Sequence, residues 1–240
     1  IGGKVKVELV DEPANPRKDV LEKVPLEHVI SAILYGSYVR KETETGSDID
    51  ILLVTDEGAK IPIPPEIMEK YDIQVKSLRE FRRAVAHDPV FYKAIKDEAV
   101  ALINRKILDD MGKGAPPIGK IEQRLELIDS SLGIAEKIME TKHTQAAYLV
   151  YPLIMRLRET LILGYLLDDK KYSAAAFRKE VLHGHISSRE FSALMSIYRL
   201  SRSGRKIPEH KISMDTIRKL VSLLEEKIRY VREKARKKRN

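Results

Sequence analysis

The chain has 240 residues, 43% of them hydrophobic and 33% charged, with a formal net charge of +8 and no cysteine. That size and balance support a buried core in one large or two modest domains, and the lack of cysteine excludes disulfides and thiolate metal sites, leaving oxygen ligands and histidine. No run approaches the ~20 apolar residues of a membrane span and the start lacks a basic-then-apolar leader pattern, so a cytoplasmic protein without a membrane partner is expected.

Residues 4–10, Lys-Val-Lys-Val-Glu-Leu-Val, alternate strictly and predict a half-buried strand. After a polar, proline-containing loop, Leu21, Val24, Val29 and Ile30 have helical spacing, which predicts a helix from Val20 to about Ser31. A short strand over 32–35 follows, then Gly36-Ser37, a helical turn, a polar loop over 41–47, and a strand from Asp48 to Thr55. Pro62, Pro64 and Pro65 mark a loop before a short helix near 66–70. The segment 71–76 alternates again as a third strand, with Asp72, Gln74 and Lys76 on one face and Ile73 and Val75 buried on the other. Helical patterns then cover 78–86 and 90–103. Strands alternating with helices predict an α/β half built on a small mixed sheet.

Residues 111–119 form the one dense Gly/Pro stretch, and the domain boundary is placed there: 1–110 as one domain, 111–120 as linker and 121–240 as a second, all-helical domain. Ile118, Ile121, Leu125, Ile128, Leu132, Ala135 and Ile138 step by three or four residues into an apolar stripe. A second apolar helix spans about 144–167, with Pro152 either kinking it or starting its main part. Within it Tyr148, Tyr151 and Tyr165 read as bundle core rather than as a base-stacking platform. Ser187 to Glu190 fits a capping box opening a helix to about Ser201. The last helix starts near Ser213 and carries Ile217, Leu220, Val221, Leu224, Ile228 and Val231. Four or five such helices predict an up-and-down bundle, and α+β as the fold class of the whole chain.

Charge divides along the same line. Residues 1–110 hold 17 Lys and Arg against 21 Asp and Glu, whereas 111–240 hold 27 against 15. The basic surplus culminates in 229–239, where seven of eleven residues are Lys or Arg. Such a run is a solvated helix end or a polyanion-binding surface. The stretch from Gly114 to Lys120 matches the opening of a phosphate-binding P-loop, but Ile121 stands where a hydroxyl is needed and two prolines remove amide donors. It is set aside.

The chemistry concentrates at 34–54. Asp48 and Asp50, two apart on a strand, project to one face close enough to share a divalent cation. Hard carboxylate oxygens suit Mg²⁺ completed by water and phosphate. Gly36 lets a phosphate approach the backbone, Ser37 can donate to it, and the following helical turn offers free amides. Arg40 could contact phosphate or fix the loop through a carboxylate.

Gly36-Ser37, a ten-residue spacer, and Asp48-Ile49-Asp50 leading into Ile-Leu-Leu-Val resemble the DNA polymerase β-like nucleotidyltransferase superfamily, and the flanking sequence looks like its minimal nucleotidyltransferase branch. The resemblance implies a third carboxylate on a neighbouring strand, for which Asp72 is the best candidate, although Gln74 and Lys76 are more polar than that pattern leads one to expect. It further implies transfer of a nucleoside monophosphate, AMP by default, from a nucleoside triphosphate to an acceptor hydroxyl. Two Mg²⁺ ions would be held by Asp48, Asp50 and Asp72, with Gly36, Ser37, Arg40 and Ser47 binding the nucleotide. ATP is the default substrate. The helical half looks, more loosely, like the bundles of antibiotic nucleotidyltransferases and the HEPN domains paired with minimal nucleotidyltransferases. Arg178 and His183 fit the Arg-x4–6-His spacing of HEPN ribonucleases, but Arg82 to His87 and Arg205 to His210 fit it too, and an ordinary surface pair is the expectation. The basic second half favours an anionic acceptor, RNA or a protein, over a cationic drug. A homodimer stays open, as does the alternative of a catalytically silent, antitoxin-like regulator acting through its bundle. The charge-rich, cysteine-free composition is also of the kind seen in hyperthermophile proteins.

Overall fold

The computed structural model describes residues 14–36, 38–39, 49–111, 116–141, 145–183, 186–207 and 212–239. The strand expected over 4–10 lies outside them. The chain divides into two compact units, one comprising residues up to Glu80 together with Ala99–Ile107, the other Phe81–Glu98 together with Leu108 onward.

The first unit opens with α1 (Pro16–Lys23), capped by the Asn15 side chain, which accepts from the Lys18 amide at 3.1 Å. The helix expected to reach Ser31 stops here. Pro25 disfavours helical backbone at the preceding residue, and Val24 is extended with φ −92° and ψ 130°. Val29 and Ile30 instead begin β1 (Val29–Tyr35), followed by β2 (Asp50–Thr55), the short α2 (Pro65–Met68), β3 (Asp72–Ser77) and, after two further helices, β4 (Val100–Ile103).

The sheet order is β3-β2-β1-β4, with β2 parallel to β3 and β1 antiparallel to both of its neighbours. A central strand covered on both faces should be apolar throughout, and Ile51, Leu52, Leu53 and Val54 are all fully buried. Alternation sends Ile51 and Leu53 into a core with Val20 of α1, Val24 just after it, Ala32, Leu34, Ile67 and Tyr71. It sends Asp50 to the opposite face.

Two further expectations are corrected. The segment 90–103 is not one helix, because α4 (Pro89–Glu98) ends and Val-Ala-Leu-Ile becomes β4, antiparallel to β1. A four-residue apolar run has no periodicity to separate helix from strand, so the open side of β1 decides it. Ser31 Oγ donates to the Ile103 and Asn104 carbonyls, and Asn104, at φ 47°, returns a side-chain bond to the Ile30 carbonyl. Val75 is 41% exposed rather than buried, since β3 is the last strand of the sheet among the described residues.

The second unit is helical: α3 (Leu78–His87, its first turn in the other unit), α4, α5 (Lys106–Met111), α6 (Ile118–Met139), α7 (Ala146–Leu167), α8 (Ala174–His183), α9 (Ser188–Arg202) and α10 (Met214–Arg239). The centre is α7, apolar on nearly every side, which packs against α10, α9, α6 and α4. It runs through Pro152, whose missing amide leaves the Tyr148 carbonyl without its intrahelical donor. The Ser187 and Glu190 capping box forms at the start of α9, and all six apolar residues expected on α10 are buried.

The α6 stripe is buried from Ile121 to Ala135, while Ile138 is exposed. Tyr148 and Tyr151 are corrected. They are 64% and 37% exposed, because Ala146, Ala147, Leu149, Val150 and Leu153 fill the inner faces of this helix. Tyr151 stacks on Tyr198 at 5.4 Å, and Tyr165 meets Tyr172 edge-on. The chain is therefore an α+β protein with a small mixed sheet followed by a helical region.

Candidate active site

The site grows from the ends of three strands. β1 finishes at Tyr35 and the chain turns at Gly36, whose φ of 81° lies in the left-handed region where only glycine is unstrained. A Cβ added at Gly36 would overlap a carboxylate oxygen of Asp50. The bare backbone is what lets this acid rest against the turn.

Asp50 is the first residue of β2, the register partner of Tyr35 on one side and of Asp72 on the other. The Asp72 amide donates to the Ile49 carbonyl at 3.0 Å, tying the start of β3 to the start of β2. Partners directly opposite in adjacent strands project to the same face. Tyr35, Asp50 and Asp72 therefore form a transverse row, with Asp72 exposed and Asp50 half-buried.

The electrostatics agree with that row. The Tyr35 phenol is held well above its ordinary range, first by burial and then by the negative charges of Asp50 and Asp72. It stays a neutral O–H beside two acids. Sequence reasoning missed Tyr35, although its place one residue before the glycine of Leu-Tyr-Gly was a usable signal: a strand that ends there sets Tyr35 opposite whatever begins β2.

Of the residues expected to share this site, the structure brings together Gly36, Asp50 and Asp72; Ser37, Arg40, Ser47 and Asp48 lie outside the described residues. Among the described residues no group of three or more metal-ligating side chains gathers. What the described part supplies is two hard oxygen donors at neighbouring register positions, a donor set that fits a hard divalent cation.

The helical unit gives no comparable constellation at Arg178 and His183. Both are exposed on α8, and five residues of helix set them about 140° apart around the axis. The Arg178 guanidinium covers the Phe191 ring at 5.7 Å, and His183 Nδ1 lies 2.7 Å from the Lys179 carbonyl. Gly119 and Lys120, from the discarded phosphate-loop match, lie in the first turn of α6 behind Pro117.

Among the described residues no helix is long and apolar enough to cross a membrane. No curated protein matches the chain. Residues 15–112 match the family model described as nucleotidyltransferase domain, a span that contains the four strands seen among the described residues, Gly36, Tyr35 and both described acids. The sheet-bearing part of the chain is thus similar to a nucleotidyltransferase domain, and that match supports a transferase of the nucleotidyl kind.

Proposed function

We propose that the protein transfers a nucleoside monophosphate from a nucleoside triphosphate, ATP by default, to a hydroxyl of an anionic acceptor, RNA before protein, with the new bond formed at the α-phosphate and pyrophosphate released. The observation that carries this reading is the register of Asp50 and Asp72 beneath Gly36, two carboxylates of neighbouring strands opening at a turn with no side chain in the way. Residues 1–110 act as the catalytic domain, 111–120 as linker and 121–240 as the acceptor-binding domain, in the cytoplasm.

Asp50 and Asp72, with Asp48, would hold two Mg²⁺ ions. When bound, such ions offset the charge of the phosphate oxygens and favour deprotonation of the attacking hydroxyl. Asp72, the more exposed acid, faces the acceptor hydroxyl and takes part in drawing off its proton. Gly36 receives the triphosphate against its backbone, Ser37 and Ser47 donate to it, and Arg40 balances its charge. Tyr35, at the Asp50 end of the row, presents a neutral O–H beside the acids without adding a charge.

The test is incubation with each α-labelled nucleoside triphosphate, Mg²⁺, and total cellular RNA or protein. Label should pass to RNA, and Asp50→Asn and Asp72→Asn should each abolish transfer while the protein stays folded. Intact nucleotide binding with no label on any acceptor would overturn the transferase reading in favour of a silent regulator.

A further inference from the structure

The outward strip at the start of α7 combines bare aromatic rings with positive charge that nothing nearby balances. Tyr148 and Tyr151 are 64% and 37% exposed. At about 100° per residue they stand about 60° apart around the helix axis, with Met155 between them. The Tyr151 ring stacks on Tyr198 of α9 at 5.4 Å, the planes 14° apart, and Tyr198 donates to Met155 Sδ at 3.4 Å. A ring held in this way has already lost its rotamer freedom, so a flat ligand that stacks on it finds a pre-organised surface.

The charge beside these rings is uneven. Arg158 donates to the hydroxyls of Tyr198 at 2.9 Å and Tyr172 at 3.3 Å, and its guanidinium lies 5.8 Å from the centre of the Tyr198 ring. Neither phenol offsets a full positive charge, and among the described residues no carboxylate pairs with Arg158. On the other side of the strip Glu159 is shared between Arg124 of α6 at 3.0 Å and Arg156 at 2.9 Å. Three guanidinium groups thus stand against one carboxylate, a surplus of two positive charges about two helical turns from Tyr151. Exposed ring faces suit a flat partner and surplus guanidinium groups suit an anion. A single-stranded polynucleotide supplies the two in alternation, base and phosphate. An acidic peptide would answer the charge but offers no succession of flat rings.

We propose that single-stranded RNA lies along this strip, with bases stacked on Tyr148 and Tyr151 and its phosphates drawn to Arg156 and Arg158. This rests on the reading of the acceptor as RNA and adds the residues that hold it. The exposure of the two tyrosines, against the expectation that they form bundle core, is what makes the rings available.

The experiment is fluorescence anisotropy of a labelled oligoadenylate of about ten nucleotides with the full chain, no nucleoside triphosphate present. Tyr148→Ala and Tyr151→Ala should each weaken binding about 5- to 150-fold, the loss of one base stack, while Tyr148→Phe and Tyr151→Phe, which keep the ring, should stay within about twofold of the parent. Tyr148→Ala should leave the melting temperature unchanged, so that its weaker binding is not a loss of fold. Arg156→Gln should reduce the slope of log K against log salt by about 0.7, and a duplex RNA, whose bases are already stacked on one another, should compete poorly. Native affinity in both alanine variants, an equal loss in the phenylalanine variants, or a duplex that competes as well as the single strand would overturn the proposal. So would alanine variants that change the sedimentation of the protein alone and not its RNA affinity, which would make the strip a contact between copies. RNA held on these rings by a protein that transfers no label would uphold this inference and sink the transferase reading; label passing to protein with no RNA bound would do the reverse.

Discussion

At the scale of single residues, the site rests on one missing side chain. Gly36→Ala would force a Cβ into the left-handed region, at about 1–2 kcal/mol, and into the Asp50 carboxylate. Relief requires Asp50 to swing off the row it shares with Tyr35 and Asp72. The expected outcome is loss of nucleotidyl transfer together with a destabilisation of that order in chemical denaturation; a variant with native transfer would show that the close approach of Gly36 and Asp50 is irrelevant to activity. How much of this was legible beforehand differs residue by residue. The Gly-Ser pair and the Asp-x-Asp pair announce themselves because their chemistry is tied to fixed spacing. Asp72 could be inferred because it heads an alternating segment. Tyr35 could not be read as a site residue from composition or period, since an aromatic at the end of an apolar strand looks like core until the register sets it opposite Asp50.

At the scale of elements, boundaries were legible where a residue dictates backbone geometry and illegible where only pairing decides. Ser187 and Glu190 signalled the start of α9, whereas Val-Ala-Leu-Ile gave no warning of β4, and Pro25 was present in the sequence as the stop that α1 obeys. The α9 cap also sets a pH dependence. Glu190 accepts from Lys219, from the Ser187 amide and from Thr216, and these bonds, Lys219 first, lower its carboxyl to about 2. A depressed acid stabilises the fold above its unfolded value of 4.5 and loses that contribution as pH falls toward 2. Glu190→Gln should therefore lower stability at neutral pH by about 1 kcal/mol and flatten the loss between those pH values, as followed by urea midpoints across the acid range. A second element-scale case lies on α4. Lys93 Nζ donates to Asp97 Oδ1 at 2.9 Å and lies 2.7 Å from Oδ2 without hydrogen-bond alignment, in side chains 3% and 7% exposed. Asp97→Ala would strand a buried ammonium and should cost about 3–5 kcal/mol, while Lys93→Met with Asp97→Leu should come out near neutral. Equal losses in the single and double variants would mean that packing, not the stranded charge, sets the cost.

At the scale of the whole molecule, the net charge of +8 is concentrated in the helical half, and the structure decides how much of it can meet a polyanion. Three of the seven basic residues in 229–239 are engaged within the bundle: Arg232 with Asp129 at 2.7 Å, Lys234 with Asp168, and Arg239 with Glu122 at 3.3 Å. These pairs tie α10 to α6 and to the end of α7, so part of the run serves as internal fastening. Arg229, Arg236, Lys237 and Lys238 are exposed. If the acceptor is RNA, these four set the salt dependence of its capture, because each phosphate neutralised on a single strand releases counterions and contributes about 0.7 to the slope of log K against log salt. Changing all four to Gln should weaken binding of a single-stranded RNA and reduce that slope by up to about 3, with little change in melting temperature because none of the three inward ion pairs is touched. Changing Arg232 and Arg239 to Gln instead should act chiefly on stability, by about 0–1 kcal/mol for each exposed pair, and leave the slope nearly as it was. An RNA affinity insensitive to salt, or a slope that falls equally in both sets, would remove α10 as the acceptor surface and return its basic end to the role of a solvated helix terminus.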